Sequence, residues 1–182
     1  AAAGRLGLVA LATALYAHLV DDPDDVIRFA RGAIDACAEY LFLDRLHYLA
    51  AGGRLSRTSA FFGDLLHMRP VVSPTAEGAK KVAVLRNKTD QVEFAVARLE
   101  QARPDVPYVI VLEYTDNEEW VRVVPGKQLQ QRHPAAKILM QPMSLTSGAH
   151  MGPGSWGVAF LPVTDGIGSL IKGGQATVLE PG

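Results

Sequence analysis

Cysteine is nearly absent from this chain, because Cys37 is the only one among 182 residues. A single cysteine cannot form an intrachain disulfide, and no second cysteine or histidine stands at the spacing of a structural zinc site. The sequence therefore argues against a disulfide-stapled secreted scaffold and against a cysteine-based metal centre. We expect a cytoplasmic protein without a bound metal, since chains without disulfides are typical of reducing compartments.

An excess of positive charge is also missing, since the formal net charge is -1. Proteins bind a phosphate backbone through clustered lysines and arginines that release counterions, so we expect no nucleic acid partner. The sequence also contains no polybasic run that would favour anionic lipid.

No apolar run is long enough to cross a bilayer, which takes roughly 20 residues. The run at residues 6–20 follows a single positive charge, Arg5, and precedes the acidic segment 21–25 without a clear small-residue cleavage site. We therefore interpret it as a buried helix rather than a signal peptide. We expect no membrane insertion.

Hydrophobic residues make up 48% of the chain and charged residues 20%, the balance of an ordinary globular protein. Apolar spacing predicts helices at residues 6–20, 22–37, 46–51, 89–101 and 117–124, and a further helix that begins near residue 56. Short apolar runs predict strands at residues 40–43, 70–75, 81–86, 108–114, 137–143 and 156–162. Helices that alternate with single strands indicate an α/β (α+β) fold with one mixed sheet.

The first candidate site consists of Gly52, Gly53 and Arg54. Glycine lets a ligand approach the backbone closely, and a guanidinium binds a carboxylate or phosphate through two parallel hydrogen bonds, so the three residues suit an anion. The alternative is that the glycines only end the preceding helix and that Arg54 is a solvated charge. The apolar residues that follow are candidates for a wall against a hydrocarbon tail: Phe61, Phe62, Leu65 and Leu66.

The second candidate site is His150, within the glycine-rich segment Gly148–Gly154. We predict a loop here, which would expose backbone N–H groups, while the imidazole can donate a hydrogen bond to an anion. The alternative is a tight turn with a surface histidine. The segment lacks the glycine and lysine spacing of a phosphate-binding loop.

Together, the segments FLDRLHYLAAGGRLSRTSAFFGDLLHMRPVVSP and SLTSGAHMGPGSWGVAF resemble the DegV family of bacterial fatty acid-binding proteins. The family's Asp-x-Leu-x-Tyr-Leu-x-x-Gly-Gly-Arg stretch is matched by Asp44, Leu46, Tyr48, Leu49, Gly52, Gly53 and Arg54. Its His-x-Gly-Pro-Gly stretch is matched by His150, Gly152, Pro153 and Gly154. The two motifs are specific in combination, and the resemblance extends over residues 1–161.

The resemblance implies a two-domain protein that holds a long-chain fatty acid in an apolar tunnel, with the carboxylate near the domain junction. Carried over by residue, His150 would hydrogen-bond the carboxylate and Arg54 would lie close to it. The ligand loops would contain Gly52, Gly53, Gly152 and Gly154. The resemblance also implies a partner, a fatty acid kinase that phosphorylates the presented carboxylate to an acyl phosphate. It implies no cofactor.

Members of this family carry an N-terminal domain whose Thr/Ser stretches complete the carboxylate site, and this sequence begins after them. We expect that domain on the same or another polypeptide; otherwise the chain is a degenerate relative with an altered site. Residues 1–38 would then be helices left from the junction with that domain. Residues 39–162 would form the lipid-binding domain, and residues 163–182 a Gly-rich tail.

The leading functional hypothesis is fatty acid binding without catalysis. One alternative is an interaction or structural domain that has lost its ligand together with the partner domain. Another is a small hydrolase, with His150 as general base and Arg54 stabilising an oxyanion. The hydrolase lacks an evident nucleophile, because none of the candidate serines stands in a G-x-S-x-G elbow. The serines considered are Ser56, Ser59, Ser144 and Ser147.

Overall fold

The computed structural model describes residues 3–53, 68–76, 78–102, 106–163 and 177–178. The helices in these ranges are α1 (Ala3–Tyr16), α2 (Pro23–Ala36), α3 (His47–Ala51), α4 (Lys88–Ala102), α5 (Glu118–Val121), α6 (Lys127–Arg132) and α7 (Leu145–Met151). A π-helical segment, Arg122–Gly126, joins α5 to α6. The strands are β1 (Ala38–Phe42), β2 (Arg69–Thr75), β3 (Gly78–Leu85), β4 (Tyr108–Tyr114), β5 (Lys137–Pro142), β6 (Trp156–Pro162) and β7 (Thr177–Val178).

The strands of the described residues form one sheet in the order β3-β2-β1-β6-β4-β5-β7. Neighbouring strands run antiparallel except for β4 and β5, which are parallel, so the predicted mixed α/β fold is confirmed. The predicted strand pair of β2 and β3 is present. In the segment predicted to be a Gly-rich tail, β7 pairs with β5 at the edge of the sheet.

Helices cover the sheet on both faces, as β4 illustrates. Successive side chains of a strand point to opposite faces. Tyr108, Ile110 and Leu112 share a core with residues of α4 and α6, whereas Val109 and Val111 share a second core with α1 and α2. Burial on both faces explains why the strand is a continuous apolar run without polar alternation.

The first two helices lie on the sheet itself. Asp22 begins α2 as predicted, since its side chain accepts a hydrogen bond from Asp24 N at 2.8 Å and Pro23 occupies the first turn. Leu8 of α1 and Ala33 of α2 are buried in the core that includes residues of β4, β5 and β6. The sequence assigned residues 1–38 to a domain junction, but α1 and α2, which lie within this range, contribute to the core of this sheet. The predicted boundary after residue 38 stays a prediction.

The predicted glycine-rich loop at Gly148–Gly154 is wrong over its first half, because residues 145–151 form α7. Ser144 begins this helix by accepting a hydrogen bond from Ser147 N at 3.2 Å. Gly152 ends it with a φ of 79°, a conformation that favours glycine. His150 therefore lies in the last turn of a helix, and the loop consists of residues 152–155.

The helical segment that begins at Glu118 also continues further than the sequence indicated. The helix predicted over residues 117–124 is followed without a break by the π-helical segment, which includes Pro125 and leads into α6. A proline has no N–H to donate, and the wider π turn accommodates its ring within the helical path.

A third core cluster lies under α3 and α7, on the sheet face opposite to α4. Its buried members lie in β1, α3, β2, β3 and α7 or directly after β1 and β5: Leu41, Leu43, Leu49, Val72, Ala79, Met143 and Met151. This cluster forms the floor of the candidate site.

Candidate functional site

A cavity of about 270 Å³ opens between α3, α7 and the ends of β2 and β3. Its walls contain apolar residues of the third core cluster together with a polar rim. The lining residues are Leu41, Leu49, Pro74, Thr75, Gly78, Ala79, Thr146, Ser147, His150 and Met151. A mostly apolar cleft with a few polar groups at its edge is the usual form of a small-molecule site.

The two sequence motifs meet at this cavity through a contact between Gly52 and His150. Gly52 ends α3, and its N–H donates to Tyr48 O at 3.0 Å. A Cβ at position 52 would overlap the imidazole ring of His150, so the ring can lie against the end of α3 in this position only with glycine there. Gly53 has a φ of 65°, as a helix-ending glycine does. Both glycines therefore end the helix, and Gly52 also positions His150.

The other residues of the motifs hold the loop after α7 against α3. A Cβ at Gly152 would overlap the ring of Tyr48. Gly154 has a φ of 75° and lies over Asp44, whose carboxylate forms an ion pair with Arg69 of β2. Each glycine of the second motif thus packs against a residue of the first, which explains in physical terms why the two motifs accompany one another.

A turn after β4 holds the same loop from the other side. Asp116 Oδ1 accepts a hydrogen bond from Gly154 N at 2.6 Å, and Asn117 Nδ2 donates to Gly154 O at 3.2 Å. Thr115 Oγ1 donates to Ser155 O at 3.0 Å. The hydrogen bond from Gly154 is the largest cause that lowers the pKa of Asp116, so this carboxylate is charged at neutral pH.

Beyond the cavity, two carboxylates are buried under the start of α1. Glu39 is 1% exposed and Glu113 is 0% exposed. Glu39 Oε1 accepts hydrogen bonds from Gly4 N at 3.0 Å and from Arg5 N at 3.2 Å. Burial and, second, the charge of Glu39 raise the pKa of Glu113 to about 8. Gln141 Nε2 donates to Glu113 Oε1 at 3.3 Å. The pair therefore holds one proton at neutral pH.

The described residues include part of the site that the sequence predicted. His150 lines the cavity and Gly52 lies against its imidazole, while Gly53 follows Gly52 at the end of α3. Gly152 and Gly154 pack on Tyr48 and Asp44. The remaining predicted site residues, and the helix predicted to begin near residue 56, lie outside the described residues: Arg54, Phe61, Phe62, Leu65 and Leu66. Their roles stay predictions.

Sequence reasoning missed the turn at 115–117 and the buried acid pair. The acid pair had a usable signal, because Glu113 is a charged residue within an otherwise apolar strand. The turn had none, since Asp116 and Asn117 follow a strand as ordinary turn residues do. Only the pairing of β4 with β6, which places Tyr114 opposite Trp156, brings this turn to Gly154.

The family model for DegV, described as an uncharacterised protein family, matches residues 1–163. The chain belongs to the DegV family. A DegV domain-containing protein of Streptococcus pyogenes serotype M3 (strain SSI-1) is 27% identical over 162 residues, which are 87% of this chain and 54% of that protein. The chain thus spans about half the length of this DegV relative.

Two solved DegV structures share the fold. A protein from Thermus thermophilus, described for its fatty acid binding, has a TM-score of 0.78 and 18% sequence identity, covering 87% of this chain and 57% of that chain. DegV from Bacillus subtilis, described as a fatty acid binding protein, has a TM-score of 0.73 and 22% identity with the same coverage of 87% and 57%. Their likeness extends over most of the chain and shows that the chain has the fold of these DegV structures.

The described residues contain neither a membrane-spanning helix nor a cluster of metal-ligating side chains. Within these ranges, no helix is long and apolar enough to cross a membrane. In the same part of the chain, no group of three or more His, Cys, Asp or Glu residues is placed to hold a metal ion.

Proposed function

We propose that this chain binds a long-chain fatty acid, with the tail in the cavity under α3 and α7 and the carboxylate at His150. The observation that carries the proposal is the contact of Gly52 with His150, whose side chain lines a mostly apolar cavity. Arg54 follows Gly52 by two positions, and in this proposal it supplies the second hydrogen-bond donor to the carboxylate. Phe61, Phe62, Leu65 and Leu66 are proposed to extend the apolar wall.

The two DegV relatives described as binding fatty acids support this choice of ligand. The charge and shape of the site support it as well. His150 is a hydrogen-bond donor at the rim, while Leu41, Leu49 and Met151 give the interior an apolar surface. A ligand with one anionic end and a long hydrocarbon end matches both parts.

The tail should supply most of the binding free energy. Burying about 15 methylene groups at about 0.8 kcal/mol each contributes about 12 kcal/mol before ordering costs. A hydrogen bond to a charged group contributes about 1.5–3 kcal/mol. The head-group residues therefore orient the ligand and select for a carboxylate, and removing one lowers affinity by about 10- to 100-fold.

The proposal includes partners that the DegV resemblance implies. A fatty acid kinase would phosphorylate the presented carboxylate, and a further domain, on the same or another polypeptide, would complete the head-group site. This chain itself would act as a binding protein and not as an enzyme, without a cofactor. The buried free thiol of Cys37 supports a reducing, cytoplasmic location.

The hydrolase alternative gains no support from the geometry. Among the described residues, no serine and no carboxylate forms a hydrogen bond with the His150 imidazole. A histidine general base is normally oriented by such a partner and contacts its nucleophile.

Native mass spectrometry of the purified chain, followed by organic extraction and lipid identification, tests the proposal. We expect a stoichiometric fatty acid on the wild type that is lost or reduced in the double variant Arg54→Ala/His150→Ala. The matched control is Arg31→Ala/His133→Ala, which removes an exposed arginine of α2 and a histidine that packs against Tyr108, neither of which lines the cavity.

The outcomes separate the hypotheses. Retention of lipid by the control and its loss from the site variant support a head-group site at His150. A wild-type chain that stays empty when fatty acid is added in excess contradicts binding by this chain and favours the interaction domain. Turnover of esters by the wild type would instead support the hydrolase.

A further inference from the structure

The turn after β4 forms hydrogen bonds with Gly154, in the segment that connects α7 to β6. Both backbone groups of Gly154 are bound by side chains of this turn, the N–H by Asp116 and the carbonyl by Asn117. The next residue is also held, because Ser155 O accepts hydrogen bonds from Thr115 N at 3.3 Å and from Thr115 Oγ1 at 3.0 Å. We call Thr115, Asp116 and Asn117 the β4 turn.

These hydrogen bonds matter because the segment that they fix contains two glycines at positive φ. Gly152 and Gly154 have φ values of 79° and 75°, and glycine has many other conformations open to it. Without fixed points on either side, this segment would let the end of α7 shift. Ser155 Oγ donates to Met151 O at 2.9 Å, which ties the residue held by the β4 turn directly to the residue after His150.

The same segment is supported from below by the first motif. Gly152 lies against Tyr48 and Gly154 lies over Asp44. The segment 152–155 is therefore fixed by contacts with the β4 turn, with α3 and with the Asp44 side chain, and it continues directly into β6. The His150 imidazole packs on Gly52 and lines the cavity next to this segment.

We propose that Asp116 and Asn117 are positioning residues for His150, holding its imidazole where it meets the carboxylate of a bound fatty acid. The inference rests on the proposed function and adds to it a pair of residues that contact the ligand only through the loop. A charge-assisted hydrogen bond depends strongly on distance and direction, so a small shift of α7 weakens the head-group contact while leaving the apolar cavity in place.

The variant Asn117→Ala tests this role by comparing two ligands of equal length, a saturated fatty acid and the corresponding fatty alcohol. The wild type should bind the acid more tightly than the alcohol. In Asn117→Ala we expect affinity for the acid to fall by about tenfold and affinity for the alcohol to stay within about twofold. A merely structural role would weaken both ligands equally.

Asn87→Ala is the matched control. Asn87 Oδ1 accepts a hydrogen bond from Asp90 N at 2.9 Å in the turn before α4, so the control loses an equivalent turn contact away from His150. We expect it to keep the wild-type preference for the acid. Should Asn117→Ala fail to fold, Asp116→Asn serves instead, since it keeps an acceptor of the same size but removes the charge that strengthens the hydrogen bond from Gly154.

Failure of this inference is distinguishable from failure of the proposed function. If the wild type binds the acid preferentially and the folded β4 turn variant keeps that preference, Asp116 and Asn117 do not position His150. If the wild type binds neither ligand, or binds both equally, the head-group site itself is wrong.

Discussion

Replacing Glu113 with glutamine should change how the stability of the protein depends on pH. Glu113 is fully buried, and its pKa of about 8 in the fold lies well above the ordinary value of 4.5. Between these two pH values the folded chain holds a proton that the unfolded chain releases. The free energy of unfolding therefore falls as the pH rises through this window.

The magnitude follows from the two pKa values. One proton contributes about 1.36 kcal/mol per pH unit, so the loss from pH 4.5 to pH 8 is about 5 kcal/mol, of which about 3 kcal/mol has been lost by pH 7. Glutamine resembles the protonated carboxyl in shape and keeps an acceptor for Gln141 and a donor toward Glu39. It cannot ionise, so the variant should lack this loss.

Urea unfolding of the wild type and Glu113→Gln at a series of pH values from 4.5 to 9 measures the effect. We expect the two proteins to be similar near pH 4.5 and the variant to become increasingly more stable than the wild type as the pH rises from there to 8. Glu119→Gln is the control, because the Glu119 side chain is 82% exposed, and its curve should follow the wild type. Parallel curves for Glu113→Gln and the wild type would refute the shared proton.

Two further substitutions test the geometry of the cavity. Gly52→Ala should displace His150 and lower the affinity for a fatty acid in a titration. Gly32→Ala is the control, because Gly32 lies at an exposed helix position with open space around it, and this variant should have a slightly higher melting temperature. Equal fatty acid binding by the two variants would contradict the close packing of Gly52 on His150. Ala79→Leu should fill part of the cavity and reduce fatty acid binding more than loss of His150 does, because the tail supplies most of the affinity. Undiminished binding by Ala79→Leu would place the tail elsewhere.

Local patterns predicted much of the fold. The continuous run at β4 and the Asp22-Pro23 start of α2 are short-range signals, and the structure has both elements where the sequence indicated them. The glycine-rich segment around His150 was misjudged, because Gly148 lies inside a helix that Ser144 begins. A serine cap and a tertiary contact outweighed the low helix propensity of glycine.

From its residues alone, the sequence predicted the two motifs of the candidate site but not how they lie relative to one another. The contact between Gly52 and His150 could be expected from the DegV resemblance but not from their spacing in the sequence. They lie at the ends of α3 and α7, and β2, β3, β4 and β5 come between these helices along the chain. The roles of Asp116 and Asn117 depend on the register of β4 with β6, which sequence alone does not supply.

The most direct test of fatty acid binding at His150 uses palmitate labelled with ¹³C at the carboxyl carbon. In a complex with the wild type, the bound carboxyl resonance should differ from that of free palmitate, and it should shift in His150→Ala while staying unchanged in His133→Ala. A bound resonance that is identical in the wild type and in His150→Ala would contradict contact between the carboxylate and His150.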